Sequence, residues 1–306
     1  MRSNPPDDVN VMPPRPLLAF YGHHKCASTW VHSVLDYVCA DAGWRLSYLT
    51  GPKDFGNDLA AHVERERVDL ISYVNADLED TLSLPPHRGF HLVRDPRDVI
   101  VSGYFSHRGT HPTHAWPELL PHREKLQQFS KEDGLLLEVG FSGQFLRKMK
   151  SWDYDQPHVL ELQQEQFTLD PYRAFLDIFQ HLGVLDESHY NKVRWPKYLL
   201  QATLNILHRR ASVIPRFPMS SVPGERLLGI VYDQRFEKFT RGRKRGEEDT
   251  KSHYRKGEGG DWVNHFTEEH VAAFKEHYGD LAERLGYEDD ADWSVASARD
   301  AQLAGR

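Results

Sequence analysis

The feature that most constrains the fold of this chain is a repeated pairing of short apolar runs with longer amphipathic segments. The apolar runs occupy 17–21, 69–74, 90–93 and 159–162, and the amphipathic segments occupy 28–42, 96–105 and 171–182. Short apolar runs bounded by turn residues are typical of buried strands, and strands that alternate with helices form parallel sheets. The pattern predicts an α/β fold with a central parallel sheet flanked by helices.

The length of the chain and the composition of its ends predict a single domain. At 306 residues with 39% hydrophobic content, the chain can bury one sizeable core. We expect a proline-rich disordered arm at 1–16, a domain at 17–287, and a loosely held tail at 288–306 that opens with an acidic run. Prolines interrupt 185–234, which we interpret as an elaborated loop or helical cap over the core.

Charge, hydropathy and cysteine content exclude several classes of protein. A net charge of -7 is unsuited to a general nucleic-acid binder, because such binding requires an excess of Lys and Arg. No apolar run approaches the roughly 18 residues that a membrane span requires, so no span is predicted. The two cysteines, Cys26 and Cys39, lack the Cys/His spacing of a zinc site. We therefore expect a cytoplasmic protein without a structural metal.

An anion site is predicted where the first strand meets the first helix. The apolar run ends at Gly22, and a helix begins near Ser28. Backbone N–H groups and the helix dipole converge at such a point, and Lys25 adds a positive charge, which predicts a P-loop-like phosphate site. A routine capped turn is the alternative. The triphosphate P-loop pattern does not fit, because Lys25 is neither directly preceded by glycine nor directly followed by a hydroxyl residue.

The strand at 90–93 leads into a second basic segment. Arg94 follows this strand, Pro96 suits the first turn of a helix, and Ser102 lies two turns further on. A residue at this end of a parallel strand faces the crevice where open α/β sheets bind ligands, and a guanidinium can hold a phosphate bidentately. The alternative is a solvated helix start with paired surface charges.

A third basic segment lies at 254–262, after the basic stretch 241–245. It contains Arg255, Lys256 and three glycines, the first of which is Gly257. Glycines let the backbone approach a ligand closely. Taken alone, such a segment is typical of a mobile surface loop or a generic anion patch.

Together and in this order, the three segments resemble the donor-binding elements of sulfotransferases that use 3′-phosphoadenosine-5′-phosphosulfate (PAPS). The run Lys25-Cys-Ala-Ser-Thr-Trp30 resembles the 5′-phosphosulfate loop of that family, usually Lys-Ser-Gly-Thr-Thr-Trp. The run from Arg94 to Ser102 matches the 3′-phosphate signature, and Arg255-Lys-Gly257 with Gly260-Asp-Trp262 matches the third element. The resemblance spans about 17–278 and is most like the cytosolic branch of the family.

The resemblance implies transfer of a sulfuryl group from PAPS to a hydroxyl or amine of a small-molecule, carbohydrate or lipid acceptor, without a metal ion. Lys25 would be catalytic and would bridge the sulfate and the 5′-phosphate of the donor. Trp30 would lie near the adenine. The 5′-phosphate would be held by Ser28, Thr29 and the amides of a loop that includes Cys26 and Ala27. The 3′-phosphate would be held by Arg94, Ser102, Arg255, Lys256 and the Gly257 amide.

The general base is not carried over from the family. In the cytosolic branch a histidine ends the strand before the arginine-bearing one, but the corresponding segment 69–77 contains no histidine. Asp77 is the nearest carboxylate at that end, and we take it as the candidate base. Asn75 could orient a hydroxyl, and three histidines flank the donor motifs: His23, His24 and His107. We expect the histidines at 107, 111 and 114 to lie in a loop.

Two further departures concern adenine binding and assembly. The adenine-contacting Tyr-Glu-Asp of the family is Gln-Glu-Gln at 164–166, and only Thr267 remains of the C-terminal dimer motif.

Two other functions stay open: a nucleotide kinase with a variant anion loop, and a catalytically silent protein that binds PAPS or its product 3′-phosphoadenosine-5′-phosphate (PAP). The acceptor pocket would be shaped by 109–141 and 185–234, whose residues carry no readable code.

Overall fold

The computed structural model of this protein describes residues 16–114, 116–188, 194–252 and 254–304. The predicted disordered arm lies outside these residues, apart from Pro16. No helix in the described part of the chain combines the length and apolar character needed to cross a membrane.

Five parallel strands form the central sheet, which confirms the predicted fold class. In spatial order they are β2 (Leu46–Leu49), β3 (Leu70–Val74), β1 (Leu17–Gly22), β4 (His87–Val93) and β5 (Val159–Gln163). In the central strand β1, Leu18 and Phe20 pack into one apolar cluster, whereas Ala19 and Tyr21 pack into another on the opposite face. Because both faces of the sheet are covered, the central strands β1 and β3 are mostly apolar in sequence.

Helices cover both faces of this sheet. In chain order they are α1 (Ser28–Ala42), α2 (Pro52–Phe55), α3 (Leu59–Glu66), α4 (Leu78–Thr81), α5 (Pro96–Phe105), α6 (Leu119–Gln128), α7 (Lys131–Phe141), α8 (Gly143–Ser151), α9 (Gln164–Leu169), α10 (Pro171–His181), α11 (Arg194–Arg210), α12 (Gly224–Asp233), α13 (Phe236–Phe239), α14 (Glu268–Tyr278), α15 (Leu281–Arg284) and α16 (Val295–Ala304). Helices α1, α10 and α12 cover the face of the sheet that carries Leu18 and Phe20. Helices α5, α7, α8 and α14 form a separate apolar cluster. A π-helical turn, Ser106–Thr110, continues α5, so His107 is helical rather than in the predicted loop.

The described residues of the segment 185–234 form a mainly helical cap. Helix α11 packs on α1, and α12 packs on α10. Two short parallel strands, β6 (Leu185–Asp186) and β7 (Val222–Pro223), tie the start of the cap to its second half. Pro196 lies in the first turn of α11, where proline is tolerated, and Pro215, Pro218 and Pro223 lie between α11 and α12, so the prolines do not prevent helices.

The segment that follows residue 287 packs against the domain, in contrast to the loosely held tail that the sequence predicts. Trp293 and Val295 are buried in the cluster formed with α5 and α14. Glu288 forms an ion pair with the buried Arg97. The acidic run obscured this docking, because two apolar side chains are enough to anchor a short segment whose other residues stay in water.

The order of the strands opens a crevice between β1 and β4. The chain leaves β1 through α1 toward β2 at one edge of the sheet, and it leaves β4 through α5 toward β5 at the other edge. Connections that diverge in this way leave a gap at the carboxyl ends of two neighbouring strands, where open α/β sheets bind ligands. Lys25 and Arg94 follow these two strand ends.

Candidate active site

A cleft of about 520 Å³ opens at the carboxyl ends of β1 and β4. Ten of the eleven predicted donor-binding residues line it: Lys25, Ala27, Ser28, Thr29, Trp30, Arg94, Ser102, Arg255, Lys256 and Gly257. The exception is Cys26, whose side chain is fully buried among the apolar residues beside α5. The fold thus brings three segments that are distant in the sequence to one site.

Positive side chains outnumber negative ones along the cleft. Its described lining contains six cations, Lys25, Arg94, Arg235, Arg245, Arg255 and Lys256, and two carboxylates, Glu237 and Glu258. This local excess contrasts with the net charge of -7 and favours an anionic ligand. Sequence reasoning missed Arg235 and Arg245 as site residues. Arg245 ends the basic stretch 241–245, but no sequence pattern indicates that Arg235 faces the same cleft.

The loop between β1 and α1 has a constrained backbone. Lys25 and Ala27 both adopt the left-handed conformation, with φ of 64° and 55°. Ala27 is the N-cap of α1, and no side chain caps the N–H groups that begin this helix. Asn75 braces the loop from the end of β3, where its Oδ1 accepts the backbone N–H of His24 at 2.9 Å. The start of α1 therefore keeps the features of an anion site.

The surroundings of Lys25 disfavour the positive charge of its amine. Burial, together with the nearby Arg94 and Arg255 guanidiniums, lowers the pKa of the Lys25 amine to about 8, against opposing effects of Glu138 and Cys26. A group whose charged form is disfavoured in this way gains stability when an anion binds beside it. The lowered pKa is thus a physical sign that the cleft is short of negative charge.

Arg94 joins the first loop to the third segment. Its Nη1 donates to the Lys25 carbonyl at 3.3 Å, and its Nη2 donates to the Glu258 carbonyl at 3.4 Å. One turn further along α5, the Asp98 carboxylate accepts the N–H groups of Gly260 at 2.6 Å and Trp262 at 2.8 Å. The second motif therefore positions the third, which explains why the two motifs occur together.

The cations of the third segment are held by a buried carboxylate. Asp261 accepts from Arg255 Nη2 at 2.6 Å and from Lys256 Nζ at 2.7 Å. Burial would raise the pKa of Asp261, but its hydrogen bonds with these cations, Asn264 and His265 outweigh burial and hold the pKa far below its usual value. The Asp261 carboxylate stays ionised and fixes both cations at the edge of the cleft before any ligand binds.

Gly257 brings the backbone of the third segment against an aromatic ring. It has a φ of 73°, and a β-carbon placed there would lie 2.8 Å from Cε2 of Phe236. Phe236 is the first residue of α13. A glycine is required here for both the backbone angle and the close approach.

Several buried polar atoms of the lining have no hydrogen-bond partner in the described part of the chain. They are Trp30 Nε1, Arg94 Nε and Gln164 Oε1. A buried polar group without a partner costs free energy, so such atoms indicate a place for a polar ligand. Trp30 also packs edge to face on Phe167, with ring centroids 5.1 Å apart. The indole is therefore held firmly beside the cleft.

Asp77, the candidate base, lies outside the lining of the cleft. Its carboxylate accepts the Glu79 N–H at the start of α4, and Lys148 Nζ lies 3.6 Å from its Oδ2. These contacts are typical of a helix N-cap with a surface ion pair. Asp77 stays a prediction that no contact with the cleft supports.

A chain of buried histidines reaches the cleft behind Lys25. His24 lines the cleft, and its Nε2 is 2.9 Å from Nε2 of the buried His107. His107 Nδ1 lies 2.9 Å from Glu138 Oε1, and His122 Nε2 lies 2.7 Å from Glu138 Oε2. Sequence reasoning named His24 and His107 but not Glu138 or His122. Only the packing of α6 against the π-helical turn and of α7 against α5 brings the latter two into the network.

Two clusters of described residues have donor atoms within 4.8 Å of one another, a spacing compatible with a cation. They are His107, His122 and Glu138, and Glu248, Asp261 and His265. Hydrogen bonds and ion pairs with neighbouring side chains already occupy these groups. We interpret both clusters as hydrogen-bond networks.

Comparisons with known proteins give a limited result. No protein-family model matches the chain, and no curated protein matches its sequence. Among solved structures, the mouse sulfotransferase SULT7A1 complexed with PAP is similar at 17% sequence identity. The match covers 95% of this chain and 90% of that chain, with a TM-score of 0.48. Values this low assign no function to this chain, so the functional argument rests on the cleft itself.

Proposed function

We propose that this protein is a sulfotransferase that moves a sulfuryl group from PAPS to a hydroxyl or amine of an acceptor. One observation carries the proposal: the three segments that resemble PAPS-binding elements line a single cationic cleft. Any one of the segments would be weak support, since basic loops and helix starts are common. Their convergence supports a shared ligand with several negative charges.

The distribution of cations around the cleft supports a donor with separated anionic groups. Lys25 and the start of α1 belong to one segment of the lining, and Arg255 and Lys256 belong to another. Arg94 links the two segments, because it donates hydrogen bonds to the carbonyls of Lys25 and Glu258. The unpartnered polar atoms of Trp30, Arg94 and Gln164 offer further hydrogen bonds. The residues present therefore fit a nucleotide that carries separated phosphate groups.

Lys25 would contribute most to the chemical step. Sulfuryl transfer resembles phosphoryl transfer in that negative charge accumulates on the leaving oxygen as the bond breaks. An ammonium fixed beside that oxygen in a partly dry cleft stabilises the transition state more than it stabilises the bound donor. In the proposed mechanism, the left-handed loop between β1 and α1 would hold Lys25 beside that oxygen. The proposed contacts include no metal ion.

Nucleotide selectivity tests the proposal directly. We expect PAP to bind much more tightly than AMP, because only PAP offers a 3′-phosphate to Arg94, Ser102 and Arg255. Each charged hydrogen bond that is lost should cost about 1.5 to 3 kcal/mol. Isothermal titration calorimetry on the full chain measures both affinities. Equal affinity for PAP and AMP would rule out the proposed donor.

The pH dependence of PAP affinity should show the titration of Lys25. In the unliganded protein its pKa is lowered to about 8, and a bound phosphate raises it. Binding above pH 8 therefore takes up a proton, so affinity should fall as pH rises, by at most about tenfold per pH unit. Calorimetry at pH 7 to 9.5, in buffers with different ionisation enthalpies, measures affinity and proton uptake together.

The matched control for this pH effect is Lys25→Arg, which keeps the positive charge but does not titrate in this range. Its affinity for PAP should be flat across the same pH interval. A flat profile for the wild type, or an unchanged slope in Lys25→Arg, would show that Lys25 does not contact the bound phosphates.

The nature of the acceptor and the distinction from a silent PAPS-binding protein require product detection. We would incubate the protein with PAPS and mixed sugars, phenols, alcohols, amines and lipids, and search for sulfated products by mass spectrometry. A Lys25→Ala sample processed in parallel is the control for non-enzymatic transfer. Tight PAP binding without any product would favour the silent binder over the enzyme.

A further inference from the structure

The general base has no obvious candidate at the expected strand end, where Asn75 stands in place of a histidine. Asn75 instead accepts the backbone N–H of His24 at 2.9 Å. It thereby positions a different histidine, one that lines the cleft directly before Lys25 in the loop. Asn75, which follows β3, therefore positions the residue that carries the His24 imidazole but is not itself a histidine.

The protonation of Glu138 sets the direction of the hydrogen bonds behind His24. Burial would raise the pKa of this fully buried carboxyl, but its interactions with His107 and His122 outweigh burial and hold the pKa below its usual value. Ionised Glu138 can only accept hydrogen bonds, so His107 donates from Nδ1. With its single proton on Nδ1, His107 accepts at Nε2 from the Nε2–H of His24, which assigns proton uptake by His24 to its Nδ1.

We propose that His24 is the general base for the acceptor, with His107 and Glu138 as positioning residues that stabilise its protonated form. This inference rests on the proposed sulfotransferase function. The acceptor O–H or N–H bond breaks, and its proton passes to His24 Nδ1 as the acceptor atom forms its bond to sulfur. The Nε2 proton of His24 can then shift to His107, which places the positive charge beside Glu138. On product release the proton returns along the same path to solvent.

The surroundings of Glu138 are built for this contact. A β-carbon on Gly103 would lie 2.7 Å from Glu138 Oε1, so a glycine at this position of α5 lets the carboxylate approach. Ser142 Oγ donates to the same oxygen at 2.9 Å. His24 itself is stacked on the ring of Phe145, with centroids 4.5 Å apart. The imidazole and its carboxylate are thus fixed by packing as well as by hydrogen bonds.

A second chain of the same composition lies deeper in the fold and serves as a natural comparison. His23 Nε2 is 2.9 Å from His91 Nε2, and His91 Nδ1 is 2.6 Å from Glu161 Oε2. His23 is fully buried and outside the lining of the cleft. Burial raises the pKa of Glu161 to about 8 and lowers that of His91 to about 3. This chain is mostly uncharged at neutral pH, so it fits a structural role.

Four full-length variants test the relay: His24→Asn, His107→Asn, Glu138→Gln and, as the matched control, Glu161→Gln. Turnover is measured as PAP release from PAPS with the acceptor mixture, and PAP affinity is measured by calorimetry. We expect His24→Asn to lower kcat by about 100-fold, within the usual contribution of a general base, with little change in PAP affinity. His107→Asn and Glu138→Gln should lower kcat by about tenfold, and Glu161→Gln should leave it unchanged.

The pH profile of kcat separates a relay from a structural effect. The titratable groups beside His24 are His107 from the π-helical turn, His111 directly after that turn, and its chain neighbours His23 and Lys25. A base must be neutral to act, so wild-type kcat should fall at low pH. Glu138→Gln removes a negative charge that favours imidazolium, so this acid limb should move to lower pH. His24→Asn should lose the limb.

The possible outcomes distinguish the two proposals. If the wild type neither binds PAP preferentially nor releases it from PAPS, the sulfotransferase function fails, and the relay fails with it. If the wild type is active and His24→Asn keeps its kcat and its acid limb, the relay alone is wrong. Equal losses in Glu138→Gln and Glu161→Gln would also overturn it, as would stoichiometric zinc bound by His107, His122 and Glu138 in elemental analysis of the purified protein.

Discussion

Replacement of Lys25 by alanine should lower kcat for sulfuryl transfer by a factor of ~100 or more, by analogy with the loss of one oxyanion-hole donor. The affinity for PAP should fall much less. In the proposed function, binding would be shared with the amides at the start of α1 and with Arg94, Arg255 and Lys256, which all line the cleft. Charge on the leaving oxygen, by contrast, would appear only as the bond breaks. The measurement is kcat together with a calorimetric dissociation constant for PAP.

The matched control is Lys256→Ala, which removes another cation from the same cleft. Lys256 is paired with Asp261 and is proposed to contact the 3′-phosphate, away from the reacting bond. This variant should weaken PAP binding more than it lowers kcat. If Lys25→Ala gives equal losses in both quantities, Lys25 is a plain phosphate anchor. Unchanged turnover would place the chemistry elsewhere.

Replacement of Arg97 by alanine should lower the free energy of unfolding by about 3 to 5 kcal/mol, the usual loss when one partner of a buried ion pair is removed. Arg97 is buried, although it belongs to the motif that contains Arg94. It donates from Nε to Asp95 Oδ1 at 2.9 Å and pairs with Glu288. Its guanidinium also lies 3.9 Å from the centroid of the Trp262 ring and 4.6 Å from that of Trp293.

Urea unfolding with and without PAP measures this effect and separates it from ligand binding. Arg97→Ala should be much less stable without ligand, yet it should keep a PAP-induced gain close to that of the wild type. Arg65→Ala is the control, because Arg65 forms an exposed ion pair with Glu66 and should change stability by less than about 1 kcal/mol. A loss below 1 kcal/mol for Arg97→Ala would contradict the stabilising role assigned to its ion pairs and ring contacts.

Sequence patterns were sufficient for the class of fold and for ten of the residues around the cleft. Apolar runs predicted the central strands β1, β3 and β4, because such strands of a parallel sheet are buried on both faces, and they also predicted the edge strand β5. The other edge strand, β2 (Leu46–Leu49), was missed, since only Leu49 of its four residues is fully buried. The donor-binding roles and the base stay predictions, but ten of the eleven donor residues do share one cleft.

The sequence by itself determined which local segments can form a strand, a helix start or a basic loop, because these depend on side-chain pattern within a few residues. Only the tertiary structure decided which charges face the cleft and which are neutralised in the core. Arg94 and Arg97 lie in one motif, yet Arg94 lines the cleft, whereas the guanidinium of Arg97 packs on the rings of Trp262 and Trp293. Likewise, the carboxylate of Asp77 follows β3 as the sequence predicts, but it pairs with Lys148 and does not line the cleft. Glu138, from a helix distant in the sequence, contacts His107. The reason is that burial and pairing are set by residues remote in the chain, and it is burial and pairing that decide whether an ionisable group binds, catalyses or stabilises.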